Sequence, residues 1–367
     1  MKKVKIGLLG MGNIGTGTYK LLNQNLDIIE KATDCQIEIT KILDRDPDRN
    51  RGISVDKNKF TQNADDILCD NSIDLVIELL GGVSPAGEYM EKALKNGKHV
   101  VTANKAAVAA NLPNLINASE ESGAKFFYEA SVGGGIPVLS AIRGPLEANH
   151  YTNVEGIVNG TTNFILTKMT EEGLAYAEVL KTAQELGFAE ADPTADVEGI
   201  DAANKLSILI WLLFGEYVKP EDIPTTGISK ITIDDIERAR ANDAKIKLLA
   251  KATFEDGKLV YCVKPIEVKN SHPLSSVSNE FNAIYLTGDA VGELMFYGKG
   301  AGRYPTANAI VNDLIMIKNN DCNYSFKNIN KVEVSKDCED AKYYLRVKDI
   351  NKVNEEIIDK NIKLSKC

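Results

Sequence analysis

Val4-Lys5-Ile6-Gly7-Leu8-Leu9 runs directly into Gly10-Met11-Gly12-Asn13-Ile14-Gly15. The first part is a short apolar run of the kind that forms a buried parallel strand. The second is a Gly-x-Gly-x-x-Gly turn, and a helical pattern follows it through Leu21 and Leu22. Strand, glycine turn and helix in that order make a dinucleotide fingerprint. The first glycine permits the bend, the second lets a pyrophosphate approach the backbone, and the third lets the helix pack closely. The helix N-terminus adds free N–H groups and partial positive charge. The plainer alternative is a strand, turn and helix with no ligand. The position of the glycines between strand and helix favours the ligand.

Downstream, apolar runs recur at residues 37–43, 74–79, 99–102 and 125–129, with helical patterns between them. This rhythm predicts an α/β fold, a Rossmann-type doubly wound parallel sheet with ligands at its carboxyl edge. From about residue 137 the pattern changes. Strands expected at 155–158, 259–263, 282–286 and 291–297 read as an antiparallel, α+β second unit. A helix is expected over 306–317, in a position to return to the first unit. The chain then divides into a dinucleotide-binding domain at 1–130, completed by a helix at about 303–320. A second, substrate-binding domain spans 131–302, and an appendage spans 321–367. The appendage is polar, with strand-like islands at 331–334 and 343–347.

Composition narrows the function. The 367 residues carry a net charge of −9, 44% hydrophobic and 26% charged residues. An acidic surface repels phosphate backbones, so no nucleic-acid partner is expected. The longest apolar stretch, residues 206–214, is about half of what spans a bilayer, so no membrane association is expected. Residues 1–10 run into glycines too early for a signal peptide. Six scattered cysteines without Cys-x-x-Cys spacing fit a reduced cytoplasmic protein, and three dispersed histidines argue against a catalytic zinc.

Asp44 ends the second strand, where a carboxylate can hold ribose hydroxyls. Arg45, Arg49 and Arg51 follow at once and could instead meet a 2′-phosphate. The two signals oppose each other, so both NAD and NADP stay open. A solvated loop of mixed charge accounts for some of these arginines.

A second cluster lies at Gly187-Phe188-Ala189-Glu190-Ala191-Asp192-Pro193-Thr194-Ala195-Asp196, with Asp196 a plausible helix N-cap. Asp201 and Lys205 stand four apart and share one helix face. Beyond them Leu206, Ile208, Leu209, Ile210, Trp211, Leu212, Leu213 and Phe214 make the helix apolar nearly all round, hence buried. A surface ion pair would contribute only about 0.5 kcal/mol. Charges beside a buried helix are costly unless paired or used, which points to a cleft. A dehydrogenase must move a proton as well as a hydride, and a buried lysine suits that task. Clustered carboxylates suit a substrate bearing an ammonium group. Lys105, after the strand at 99–102, is the other lysine placed to reach a substrate. The turn Ser131-Val132-Gly133-Gly134-Gly135-Ile136-Pro137 follows Glu129 and offers carbonyls plus one carboxylate, either for a hard cation or as a plain tight turn.

In combination these segments resemble the homoserine dehydrogenase family over residues 4–318. The matching motifs are the glycine turn, Thr102-Ala103-Asn104-Lys105, Glu129 through Pro137, Gly156-Ile157-Val158-Asn159-Gly160-Thr161-Thr162-Asn163, the acidic segment to Lys205, and Gly298 through Ala307. The resemblance implies NAD(P)-dependent interconversion of L-aspartate 4-semialdehyde and L-homoserine in threonine and methionine biosynthesis. It implies that Lys105 and Lys205 handle the proton, with Asp201 in support. Glu190 and Asp196 would bind the substrate amino group, and Asn159, Gly160, Thr161 and Thr162 would line its pocket. The cofactor would meet Gly10, Gly12, Asn13, Ile14, Gly15, Asp44, Arg45, Thr102, Asn104, Lys105, Gly300 and Ala301. Glu129 and the carbonyls of Val132, Gly134 and Ile136 would hold a sodium or potassium ion. A homodimer or higher homo-oligomer is implied, formed through the second domain. The tail is similar to the first strand of an ACT module but too short for a whole one, so threonine feedback through it is not expected. Met1 lies just before the first strand, so no fused kinase is expected. Another amino-acid semialdehyde reductase, or a non-catalytic dinucleotide sensor, are the competing readings.

Overall fold

The structure, a computed structural model, describes residues 2–318 and 333–335. The first unit holds strands β1 (Lys2–Leu9), β2 (Cys35–Leu43), β3 (Phe60–Thr61), β4 (Leu75–Glu78), β5 (His99–Thr102) and β6 (Phe126–Phe127). Its helices are α1 (Asn13–Gln24), α2 (Leu26–Thr33), α3 (Asp65–Leu68), α4 (Ala86–Lys95) and α5 (Lys105–Ser122). The strands form one parallel sheet in the order β3-β2-β1-β4-β5-β6. The order reverses direction between β1 and β4, and the crevice outside their carboxyl ends is where such a sheet takes its ligand. β4 is buried at all four positions, as a strand covered on both faces must be.

The remaining elements are α6 (Val138–Ile142), β7 (Tyr151–Ile157), α7 (Gly160–Glu172), α8 (Tyr176–Glu185), α9 (Thr194–Val197), α10 (Ile200–Phe214) and α11 (Ile233–Ala241). There follow β8 (Ala244–Glu255), β9 (Lys258–Lys269), β10 (Phe281–Gly288), β11 (Gly292–Lys299), α12 (Arg303–Lys318) and β12 (Glu333–Ser335). These strands form a second sheet, β11-β10-β7-β8-β9-β12. It is antiparallel apart from β12, which runs parallel to β9. One face of this sheet, with Val154, Leu248, Ala250, Val263 and Ile284, shares a continuous core with the helices. α12 packs back against α1.

α10 is the internal post of the second unit. Leu206, Ile208, Leu209, Ile210 and Leu212 are at most 1% exposed, and the helix touches both α5 and β8. Each such side chain contributes on the order of 1.5–3 kcal/mol on burial. The helix therefore fixes whatever its N-terminal turn carries.

Local departures from the sequence expectations have local causes. The two-residue strand β3 carries too little pattern to be read. The strand expected at 125–129 is only Phe126–Phe127, because a 3₁₀ turn at Glu129–Ser131 ends it. Asp196 is not an N-cap: it sits inside α9, and Gly199, at φ +83°, begins α10. Its carboxylate is instead taken by Asn159 and Thr161. The strand expected at 331–334 overlaps β12, whereas the one at 343–347 lies outside the described residues.

Candidate active site

The glycine turn has the shape its sequence requires. Gly10 adopts φ +93°, and a Cβ there would fall 2.7 Å from the Leu79 carbonyl oxygen. A Cβ on Gly15 would fall 2.2 Å from the Gly10 oxygen. At Gly12 a Cβ would meet nothing within 4 Å, so this glycine faces open space. Gly12 also starts α1 without any side-chain cap, and no acidic residue occupies the first turn. Asn13 and Ile14 thus open a helix whose N-terminus is available to an anion.

At the neighbouring strand end, Asp44 Oδ2 accepts from the Met11 N–H at 3.0 Å and Oδ1 from the Asp46 N–H at 2.9 Å. Arg51 pairs with Asp44 at 3.1 Å and donates to the carbonyls of Met11, Pro47, Arg49 and Asp46. Its guanidinium also lies 5.1 Å from the Phe60 ring centre. Burial pushes the Asp44 carboxyl up, but the amides of Asp46 and Met11 and the Arg51 guanidinium outweigh it and hold it below the usual carboxylate range. Arg51 is consumed by this loop. Arg45 and Arg49 are exposed.

Glu78, fully buried at the end of β4, escaped the sequence reading. Its carboxylate accepts from the Leu80 N–H and the Thr102 hydroxyl, each at 2.7 Å. The Thr102 oxygen in turn accepts from the Asn104 N–H at 2.9 Å. Asn104 caps α5 through the Ala107 N–H at 3.1 Å and donates to the Gly82 carbonyl at 2.8 Å. Burial pushes the Glu78 carboxyl up against the pull of these donors. Lys105, first residue of α5, is therefore set by a hydrogen-bonded chain that begins at Glu78. The available signal was one carboxylate in an otherwise apolar strand, which must find partners.

The two lysines converge on Asp201. Lys205 Nζ lies 2.6 Å from Asp201 Oδ2, and Lys105 Nζ lies 3.0 Å from Oδ1. Lys205 also donates to the Val158 carbonyl at 2.5 Å. Asn159 Nδ2 donates to Asp201 at 2.9 Å and to Asp196 at 2.7 Å. Its Oδ1 accepts from the Thr162 N–H at 2.9 Å, which caps α7 next to Gly160. Thr161 donates to the Phe188 carbonyl at 2.7 Å and to Asp196 at 3.2 Å. Lys205 and Asp201 are each 8% exposed in their side chains, but Lys105 is 44% exposed. Burial raises the Asp201 carboxyl, yet Lys205 and Lys105 together hold it well below its ordinary value. Asp201 pulls the Lys105 ammonium up, with Asp196 and Glu190 adding to it. Lys205 goes the other way: burial lowers it more than Asp201 raises it. One lysine is thus held above its ordinary value near solvent, and burial pulls the other below it. Glu190 is exposed and acts here through its charge. Asp192 caps its own turn at Thr194 instead.

Glu129 is buried, and its carboxylate accepts from the Leu139 and Ser140 N–H groups at 2.9 and 2.7 Å. Its own N–H donates to Asp313 on α12 at 2.9 Å. In the turn that follows, with Val132 and Ile136 buried, a Cβ on Gly134 would lie 2.4 Å from the Gly300 oxygen. Gly135 N–H donates to the Lys299 carbonyl at 3.1 Å. Ala301 sits beside this crossing, its nitrogen 3.0 Å from the same Gly134 Cβ position. No group of three or more His, Cys, Asp or Glu forms a metal cluster among the described residues.

A dinucleotide cradle at a switch point and a lysine pair sharing one buried carboxylate define a nicotinamide-dependent oxidoreductase. Comparison with known proteins narrows the class. The model for the homoserine dehydrogenase NAD-binding domain matches residues 10–129, and that for homoserine dehydrogenase matches residues 137–315. The chain belongs to the homoserine dehydrogenase family. It is 45% identical to homoserine dehydrogenase of Bacillus subtilis (strain 168) over 320 residues, covering 87% of this chain and 74% of that one. It is 42% identical to the Synechocystis sp. enzyme, covering 86% and 73%. The crystal structure of a homoserine dehydrogenase from Thiobacillus denitrificans superposes with a TM-score of 0.81 at 40% identity, covering 87% of this chain and 74% of that one. A hyperthermophilic archaeal homoserine dehydrogenase solved with NADPH gives a TM-score of 0.75 at 26% identity, covering 88% and 99%. The chain is an NAD(P)-dependent oxidoreductase with a small-molecule substrate. Among the described residues no helix is long and apolar enough to cross a membrane.

Proposed function

We propose that Lys205 is the acid and base for reversible reduction of L-aspartate 4-semialdehyde to L-homoserine, with Lys105 beside it at the reacting oxygen. The observation that carries this is the shared carboxylate: Asp201 holds both ammonium groups within 3.0 Å, and its charge outweighs burial at Lys105 while burial outweighs it at Lys205. The bound dinucleotide supplies or accepts the hydride. Lys205 gives its proton to the carbonyl oxygen in reduction and takes it back in oxidation. Lys105 remains charged and stabilises oxyanion character. Glu190 and Asp196 receive the substrate ammonium, and Asn159, Gly160, Thr161 and Thr162 form the wall that orients them. Appearance of reduced-nicotinamide absorbance from L-homoserine tests the reading, and its absence with both cofactors on folded protein overturns it.

The sign of the pH dependence follows from Asp201. Its charge raises the pKa of Lys205, so Asp201→Asn removes that support. Lys205 then loses its proton at lower pH, and the alkaline limb of semialdehyde reduction is expected to move down in pH. A profile that stays in place, or moves up, detaches Asp201 from the proton transfer.

For the cofactor we propose a preference for NAD. Asp44 brings a carboxylate to the loop that ends β2, and Arg51 is turned away from ligand into that same loop. A 2′-phosphate there meets negative charge. Asp44→Ser is expected to shift the NAD-to-NADP ratio of kcat/KM toward NADP by about tenfold or more, since each 1.4 kcal/mol is a factor of ten. A wild-type preference for NADP, or an unchanged ratio in the variant, rejects the assignment. Thr102, Asn104, Gly300 and Ala301 complete the cofactor edge, with exposed Arg45 at the ribose end.

We read the chain as a dinucleotide-binding domain closed by α12, a substrate-binding domain, and a short appendage. Glu129, with the carbonyls of Val132, Gly134 and Ile136, suits a sodium or potassium ion: one charge and carbonyl oxygens are the donors of a hard monovalent cation. Phe281, Met295 and Tyr297 share the outer face of β10 and β11. Met295 is 39% and Tyr297 53% exposed, and we assign this apolar face to a homodimer contact. The free thiols Cys35 and Cys69 fit a reducing, cytoplasmic setting.

A further inference from the structure

Arg303 opens α12, the helix that follows the second sheet and packs on α1. It is exposed, and its Nε donates to Asn13 Oδ1 at 2.6 Å. Asn13 is the first residue of α1. One turn later, a Cβ on Gly17 would fall 2.5 Å from Arg303 Cγ and 3.1 Å from its carbonyl oxygen. The missing side chain of Gly17 is therefore the notch in which the arginine stem lies. Held this way, the guanidinium stands at the start of α1, hydrogen-bonded to the residue that follows Gly12.

The charge balance at this point is uneven. No carboxylate pairs with Arg303 among the described residues, and its one hydrogen bond there goes to a neutral amide. The N-terminus of α1 carries partial positive charge and lacks both an acidic first turn and a side-chain cap. Two positive features fixed side by side attract a doubly charged group that can accept several hydrogen bonds. The Nε bond fixes the guanidinium plane, and the two Nη groups are left for phosphate oxygens.

We propose that Arg303 is a pyrophosphate-binding residue, supplied to the glycine turn from the far end of the fold. This rests on the dinucleotide-site reading. It means that α12, beyond the Gly300 and Ala301 contacts, contributes directly to cofactor affinity.

The test is calorimetric titration of the full chain with ADP, with adenosine and with NAD, for wild type, Arg303→Gln and Gly17→Ala. Arg303→Gln is expected to weaken ADP and NAD by about ten- to a hundredfold, as loss of a charge-assisted contact does, and to leave adenosine unchanged. Gly17→Ala keeps the charge but displaces the stem, so ADP is expected to weaken there too. Unchanged ADP affinity in Arg303→Gln, or an equal loss for ADP and adenosine, overturns the proposal. Failure of the wild type to bind either ADP or NAD would reject the dinucleotide site itself.

Discussion

Lys205→Met is expected to lower kcat by about 10²–10⁴-fold, the range for removal of a general acid–base group, while NAD binding stays close to wild type. Methionine retains the stem that packs inside the 8%-exposed position and removes only the amine. Truncation to alanine would add a cavity on top of the chemical loss. Asp201 is not stranded in this variant, because Lys105 still faces it at 3.0 Å. The full penalty of an orphaned buried charge, about 3–5 kcal/mol, is thereby avoided. Rates followed by nicotinamide absorbance, alongside dinucleotide affinity, separate chemistry from binding. A variant turning over within a few-fold of the parent would remove Lys205 from the proton transfer.

Gly12→Leu is expected to abolish measurable dinucleotide binding, a loss of at least about a hundredfold, without unfolding the protein. A Cβ at Gly12 meets no protein atom within 4 Å, so a leucine there grows into the space proposed for the pyrophosphate. Gly15→Ala offers the contrast. Its Cβ would strike the Gly10 oxygen at 2.2 Å, so that variant should lose thermal stability as well as cofactor. If Gly12→Leu binds NAD normally with an unaltered melting temperature, the cradle lies elsewhere.

Much of the architecture was legible because periodicity reports burial. The run before Gly10 and the apolar shell of Leu206–Phe214 could each be only a covered strand and an enclosed helix. Asp201 and Lys205 were legible as a pair because helical spacing alone brings them together. What required coordinates was every relation between distant segments. Nothing in the order of residues says that Lys105 meets the other side of Asp201, or that Asn159 bridges Asp201 and Asp196. Arg51 illustrates the same limit: its position beside Asp44 suggested a phosphate ligand, but its carbonyl partners turn it inward. Asp196 looked like a cap because it precedes a helix, whereas a glycine in the left-handed region took that place.

Gly133–Ile136, on the way from β6 to β7, and Lys299–Gly302, on the way from β11 to α12, touch back to back through Gly134 and Gly300. A Cβ on Gly134 would strike the Gly300 carbonyl, so the two segments meet there backbone on backbone. Elsewhere along the same boundary, Lys105 at the start of α5 and Asp201 at the start of α10 form an ion pair between the two units. The ion pair proposed for proton transfer is therefore also a stitch between the two units, and a change in the packing of α5 on α10 reaches it directly.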